Sequence, residues 1–130
     1  MRAVAFGALV ALVATGASAH SLSPGYERRS TASDALEMQY ELTNAYRFPA
    51  SYDVQVFEKD WTQHAAWSTD KRTYNLNPNS ERFITVRLTE IIEDRRVIVC
   101  TILTGVTRDQ QPPKIESRAC SRLRIDSLRR

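Results

Sequence analysis

VIVCTIL, at residues 97–103, is the one run of strand length outside the first twenty residues in which nearly every side chain is apolar. Both alternating faces are apolar, with Val97, Val99 and Leu103 on one and Ile98, Cys100 and Ile102 on the other. A strand with this pattern is covered on both sides, and its β-branched residues favour a strand over a short helix. We therefore predict a central strand, bounded by the charged residues 94–96 and by Gly105.

Residues 1–19 have the pattern of a secretory signal peptide. Arg2 gives a positive start, residues 3–16 form an apolar run, and residues 17–19 are a small-residue cleavage pattern, Ala-Ser-Ala. The apolar run falls short of the about 20 residues that a membrane span needs, and the residues after it are polar. The sequence thus predicts an exported, periplasmic protein whose mature part, residues 20–130, forms one domain without a membrane span.

Strand patterns recur along the mature chain, whereas no convincing amphipathic helix does. Apolar and polar residues alternate in four stretches, at residues 36–43, 52–57, 82–88 and 119–128. In the last stretch Leu123 and Ile125 are predicted to point inward. Residues 20–29 indicate an irregular first strand with a kink at Pro24, and residues 65–67 indicate a short strand. About seven short strands predict an all-β sandwich.

The chain contains two cysteines, Cys100 in the predicted central strand and Cys120 in the last one. In an exported protein such a pair is more typical of a disulfide than of a metal site. Closing a loop of about 20 residues would stabilise the fold by roughly 3 kcal/mol in the chain-entropy model. We predict a structural bridge between Cys100 and Cys120.

The basic residues are concentrated near the end of the chain. The net charge of +3 is too small to indicate a nucleic-acid partner. Residues 114–130, however, hold six basic residues against Glu116 and Asp126. Arginines that point outward from the last strand, Arg122 and Arg124, are typical of an edge strand that charge protects from aggregation. The sequence therefore predicts an exposed last strand.

Motifs of catalytic and cofactor sites are missing from the sequence. It has no phosphate loop, no Gly-x-Ser-x-Gly, no Cys-x-x-Cys and no His-Glu-x-x-His, so we expect neither enzymatic activity nor a cofactor. One metal hypothesis stays open. Cleavage after Ala19 would make His20 the mature N-terminus, where its amine and imidazole could bind copper together with His64.

Two further hypotheses stay open. Asp60 and Asp70 flank a segment with two tryptophans, Trp61 and Trp67, and aromatic rings of this kind can form a sugar-binding surface. An exported sandwich can also be a structural subunit of a pilus, capsule or surface layer.

Several segments resemble a known family in their order along the chain. They are LEMQYELTN (36–44), FPASYDVQVFEKD (48–60), YNLNPNSERFITVRL (74–88), VIVCTIL (97–103) and SRLRID (121–126). Together they resemble the N-terminal immunoglobulin-like domain of the PapD-like periplasmic chaperones, which assemble pili by the chaperone-usher route. The strongest pieces are the proline-containing turn that leads into a strand ending in Arg-Leu, and Asn44 after an alternating strand. The resemblance implies a single immunoglobulin-like β-sandwich over the mature chain.

Members of that family bind the C-terminal carboxylate of a client subunit with one basic residue on the first strand and another on the last. The resemblance places Arg28 at the first position and Arg122 or Arg124 at the second. Arginine suits this task because its guanidinium can hold both carboxylate oxygens. The implied function is a periplasmic assembly chaperone or accessory binding module. It would capture an exported client, such as a pilus or surface subunit, or an assembly-platform protein, by edge-strand pairing.

Overall fold

The computed structural model describes residues 20–106 and 117–128. The predicted signal peptide and the polar connection at residues 107–113 lie outside the described residues. The described chain forms nine strands: β1 (His20–Ser23), β2 (Tyr26–Thr31), β3 (Leu36–Asn44), β4 (Ala50–Glu58), β5 (Trp67–Thr69), β6 (Thr73–Leu76), β7 (Ser80–Leu88), β8 (Arg95–Val106) and β9 (Arg118–Ser127). Within these residues no helix is long and apolar enough to cross a membrane.

Two sheets pack against each other as the predicted all-β sandwich. One has the strand order β1-β3-β7-β5 and the other the order β2-β9-β8-β4-β6. Side chains from both sheets fill the core between them, among them Met38, Tyr40, Leu42, Tyr52, Tyr74, Ile84, Leu88, Leu123 and Ile125. Leu123 and Ile125 therefore point inward, as the alternation in the last strand predicted.

β8 is the central strand that was predicted at residues 97–103, and it lies between β9 and β4 in the five-stranded sheet. Its odd-numbered apolar residues face the main core. Ile98 and Cys100 instead pack with Phe57 and Cys120 on the face that points away from the other sheet, here called the outer face. The run lacks alternation because both of its faces are covered.

The N-terminal strand divides at the kink predicted at Pro24, where the peptide bond from Ser23 is cis. Before the kink, β1 pairs antiparallel with β3; after it, β2 joins the other sheet and pairs parallel with β9. The prediction of an exposed last strand is therefore wrong for most of β9, because β2 covers it from Arg122 to Ser127. β2 is the outermost strand on that side.

Short and irregular segments account for the other differences from the sequence prediction. β6 was not predicted, because it has four residues and runs directly into the turn at residues 77–79. The short strand expected at residues 65–67 begins at Trp67 instead. The connection between β7 and β8, residues 89–94, is irregular, and the N–H of Ile91 donates to the carbonyl of Asp34 at 2.9 Å.

Asn44, one of the positions that carried the family resemblance, is a fully buried polar link at the end of β3. Its amide nitrogen lies within 3.4 Å of three backbone carbonyl oxygens, those of Phe48, Leu76 and Asn77. Its side-chain oxygen accepts hydrogen bonds from the N–H of Tyr46 and the hydroxyl of Tyr52. A buried amide is stable only when its donors and acceptors are satisfied in this way. Asn44 therefore ties the loop after β3 to the turn before β7.

Candidate functional site

β9 has a strand neighbour on only one side over residues 119–121, which we call the open segment. β8 pairs with β9 along this stretch. The pairing with β2 begins only at Arg122, opposite Tyr26, because the chain before Tyr26 belongs to the other sheet. In the described structure, no strand therefore pairs with the open segment on its β2 side, although β1, which pairs with β3, runs close to the start of β9, where His20 bonds to Ser117.

The backbone of Cys120 points toward that open side. In an antiparallel ladder, the N–H and C=O groups of successive residues point alternately to opposite sides of the strand. The N–H of Arg122 donates to the carbonyl of Gly25 at 2.9 Å, on the β2 side. The N–H and C=O of Cys120, two residues earlier, therefore point the same way, beyond the end of β2. An extended peptide can pair with such an edge by β-augmentation.

The predicted disulfide between Cys100 and Cys120 is confirmed, with an S–S distance of 2.11 Å. The two cysteines are direct register partners on β8 and β9. The bridge thus ties the open segment to β8, the strand that supports it. An edge segment with one neighbour is prone to fray, and this covalent link holds it extended.

The three arginines predicted from the family resemblance all lie on the outer face of the five-stranded sheet. Arg28 of β2 is the register partner of Arg124, and Arg122 is the partner of Tyr26. Register partners project to the same face of a sheet, so these side chains extend side by side. The side chain of Arg28 is 59% exposed and that of Arg124 is 40% exposed. Both are accessible to a ligand.

A carboxylate of the chain itself already lies between two of these arginines. Nε of Arg28 donates to Oδ2 of Asp126 at 2.6 Å, and Nε of Arg124 lies 3.4 Å from Oδ1. The hydrogen bond from Arg28 lowers the pKa of the Asp126 carboxyl, and the same contact raises the pKa of Arg28. The arrangement therefore can hold a carboxylate, and an incoming one would compete with Asp126 for Arg28.

The structure does not bring together the two histidines of the copper hypothesis. The His20 ring packs against Tyr52, with the ring centroids 4.8 Å apart, whereas the N–H of His64 donates to the carbonyl of Val56. Those two positions of β4 are separated by about 13 Å along the strand. Nδ1 of His64 lies 2.5 Å from Oε1 of Glu58. The described chain contains no group of three or more His, Cys, Asp or Glu residues that could hold a metal ion.

Both ring nitrogens of His20 already have partners inside the protein. Nε2 lies 3.2 Å from the carbonyl oxygen of Thr101, which can only accept, so this nitrogen carries the proton. Nδ1 lies 2.8 Å from the hydroxyl oxygen of Ser117 and accepts from it. Burial lowers the pKa of His20 despite the backbone hydrogen bond. The neutral ring, with its lone pair engaged, has no site left for a metal.

The residues of the sugar-binding hypothesis lie on different parts of the sandwich. Trp61 contacts Phe57 on the outer face of the five-stranded sheet, whereas Trp67 belongs to β5 of the other sheet and packs against the main core. The carboxylates of Asp60 and Asp70 accept hydrogen bonds from nearby backbone and hydroxyl groups. The structure does not assemble these four residues into one surface.

The sequence did not indicate two residues of the outer face, Lys59 and Arg96, as site residues, and it indicated a third, Trp61, only for the sugar-binding hypothesis. With two of the predicted arginines they line a groove of about 460 Å³. The sequence could have placed Arg96 on the outer face, because it lies an even number of residues from Cys100 in the same strand. The disulfide from Cys100 to Cys120 then sets the register with β9 and shows which of its residues lie opposite. Lys59 and Trp61 could not have been placed, because they lie in a turn where alternation ends.

The sandwich has the PapD-like immunoglobulin-like fold that the sequence resemblance implied. Its structure is similar to that of the E. coli chaperone DraB, with a TM-score of 0.66 and 11% identity over 84% of this chain and 55% of that chain. The SafB chaperone, solved in complex with the Salmonella enterica SafA pilin, gives a TM-score of 0.63 and 11% identity over 84% of this chain and 54% of that chain. The chain thus spans a little over half the length of these chaperones.

The same fold occurs in proteins that are not described as chaperones. The PapD-like domain 7 of human CEP192 is similar with a TM-score of 0.59 and 11% identity over 87% of both chains. No protein-family model matches the sequence, and no curated protein does. The structural likeness therefore establishes the fold, and the function has to be argued from the site.

Proposed function

We propose that this chain is a periplasmic, non-enzymatic binding module of the chaperone type, which captures an extended segment of an exported protein subunit at the open segment of β9. The observation that carries the proposal is the open side of Cys120, with an arginine pair that holds a carboxylate on the same sheet. The similar structures DraB and SafB are chaperones, and SafB was solved with a pilin. They support a protein subunit as the partner.

The two parts of the site would recognise different features of the client. The backbone of the open segment pairs with any extended chain, because main-chain hydrogen bonds carry little sequence information. Arg28 and Arg124 add a preference for a carboxylate, such as the C-terminus of the client, through charge-assisted hydrogen bonds. The disulfide keeps the edge extended while no client is present.

Replacement of Arg28 tests the proposal with little risk to the fold. Its side chain is mostly exposed, and exposed ion pairs contribute little to stability. We expect Arg28→Ala to reduce the exported subunit that co-purifies with the tagged protein from the periplasm, by roughly tenfold. The melting temperature should stay nearly unchanged. Arg87→Ala, which removes an exposed arginine of β7 on the other sheet, is the matched control and should capture the subunit normally.

Two results would contradict the proposal. A protein that purifies without any stoichiometric partner, or that is found in an insoluble surface fraction, would favour a structural subunit. A large loss of stability in Arg28→Ala, with capture intact, would show that Arg28 has a structural role.

A further inference from the structure

A groove on the outer face shares only Arg124 with the proposed carboxylate site and has an unusual electrostatic character. Four cationic residues line it, namely Lys59, Arg96, Arg122 and Arg124, and no described carboxylate does. Within the described residues, Arg96 and Arg122 form no ion pair. Arg96 and Arg124 are register partners, and like charges at facing positions of a sheet repel one another, so a ligand with negative charges would relieve that repulsion. The groove is therefore complementary to an anionic ligand.

The spacing of the charges favours an extended peptide among anionic ligands. Arg124 is the register partner of Arg96, and Arg122 lies two residues away from Arg124 on β9. Residues two apart in a strand repeat about every 7 Å on one face. An extended peptide with acidic side chains at alternate positions has the same repeat. Its carboxylates would therefore meet successive arginines without a change in backbone conformation.

Aromatic side chains at the groove provide the contacts of a protein interface. Tyr26 and Trp61 both line it and are 63% and 50% exposed. Tryptophan, tyrosine and arginine are the residues most often responsible for binding energy at protein interfaces. The combination of exposed aromatic rings with arginines therefore fits a protein segment that carries apolar as well as acidic side chains.

The backbone at Trp61 gives an independent observation. Its φ angle is +69°, a region that bulky residues rarely adopt. The N–H of Trp61 donates to the carbonyl of Glu58, and the N–H of Glu58 donates to the carbonyl of Thr62. Glycine is the preferred residue at such a position of a tight turn. A half-exposed tryptophan at a glycine position is unfavourable for the turn, and strain of this kind is concentrated at binding sites.

We infer that this groove binds an acidic, extended segment of a protein partner, with its carboxylates on Arg96, Arg122 and Arg124 and an apolar side chain against Trp61. The site goes beyond the proposed strand capture because it adds Arg96, Arg122 and Trp61 and does not use the open backbone edge; Arg124 belongs to both sites. Arg28 does not line the groove, and no hydrogen bond or ion pair joins Arg96 to Asp126, so variants at these two positions separate the proposals.

A labelled peptide with alternating glutamates and a central leucine tests the groove by fluorescence anisotropy. We expect it to bind the wild-type protein, and the same peptide with glutamines to bind roughly tenfold more weakly or not at all. Arg96→Gln should weaken binding to a similar degree, whereas the matched control Arg87→Gln should not. Equal binding of the glutamate and glutamine peptides would overturn the inference. Full displacement of the glutamate peptide by polygalacturonate at equal carboxylate concentration would also overturn it, because the groove would then be a site for polyanions in general.

Trp61→Gly separates a binding role of this residue from a packing role. The substitution gives the turn its preferred residue but also removes the contacts of the ring with Phe57 and Arg118, so the melting temperature should change little. Peptide binding should fall roughly tenfold with the loss of the ring. A lower melting temperature with unchanged peptide affinity would show that the ring is a packing element, and the inference would then be wrong. Peptide binding that leaves the exchange rate of the Cys120 amide unchanged would support the groove independently of strand capture.

Discussion

His20 shows how burial decides the chemistry of a single residue. From the sequence it was a candidate metal ligand, but the folded chain encloses its ring between Tyr52, Thr101 and Ser117. These partners hold the imidazole neutral in one tautomer. Because its hydrogen-bond partners are 81 and 97 positions away in the sequence, no local pattern could have revealed them.

The lowered pKa of His20 predicts a pH dependence of stability. Above the ordinary pKa of 6.5 the ring is neutral in both the folded and the unfolded chain, so it does not make the free energy of unfolding depend on pH. As the pH falls below 6.5, the unfolded chain takes up the proton first, so the free energy of unfolding decreases until the lower folded pKa is passed. This decrease can reach about 1.4 kcal/mol per pH unit.

Denaturant titrations of the wild type and His20→Gln between neutral and mildly acidic pH measure this effect. The wild type should lose stability faster than the variant as the pH falls, because the other titratable groups contribute equally to both. Parallel curves would show that the folded protein accepts a proton on His20 as easily as the unfolded chain does.

At the scale of the element, the sequence predicted those strands that alternation or full burial marks clearly. The alternation of apolar and polar residues predicted β3, β4, β7 and β9. A continuous apolar run predicted β8. The pairing of β2 with β9 was missed, because two strands almost a hundred residues apart are brought together only by the change of sheet at Pro24. Because β2 pairs with most of β9, this predicted edge strand lacks a paired neighbour only over the open segment.

The disulfide of the open segment is expected to stabilise the folded protein. The double variant Cys100→Ser and Cys120→Ser should lower the free energy of unfolding by roughly 3 kcal/mol, because the bridge closes a loop of about 20 residues. Denaturant midpoints of the oxidised protein and the variant measure the difference. The reduced wild type is the control and should match the variant; an unchanged midpoint in the variant would show that the bridge contributes nothing to stability.

At the scale of the whole molecule, the candidate functional features lie on one of the two sheets. The open segment, the arginines with Asp126 and the cationic groove all belong to the five-stranded sheet. The sequence placed Arg28, Arg122 and Arg124 on strands through a family resemblance, and alternation placed the last two on the outward face. It could not place Asp126 between two of them, because that contact depends on the parallel register of β2 and β9.

Amide hydrogen exchange at Cys120 measures directly whether a partner strand adds to the open segment of β9. In the protein alone, the Cys120 amide should exchange much faster than that of Arg122, which is hydrogen-bonded to Gly25. On binding of the captured subunit, the Cys120 amide should become protected while Arg122 changes little. A Cys120 amide that is already protected in the protein alone, or that stays unprotected in the complex, would show that no partner strand adds to this segment.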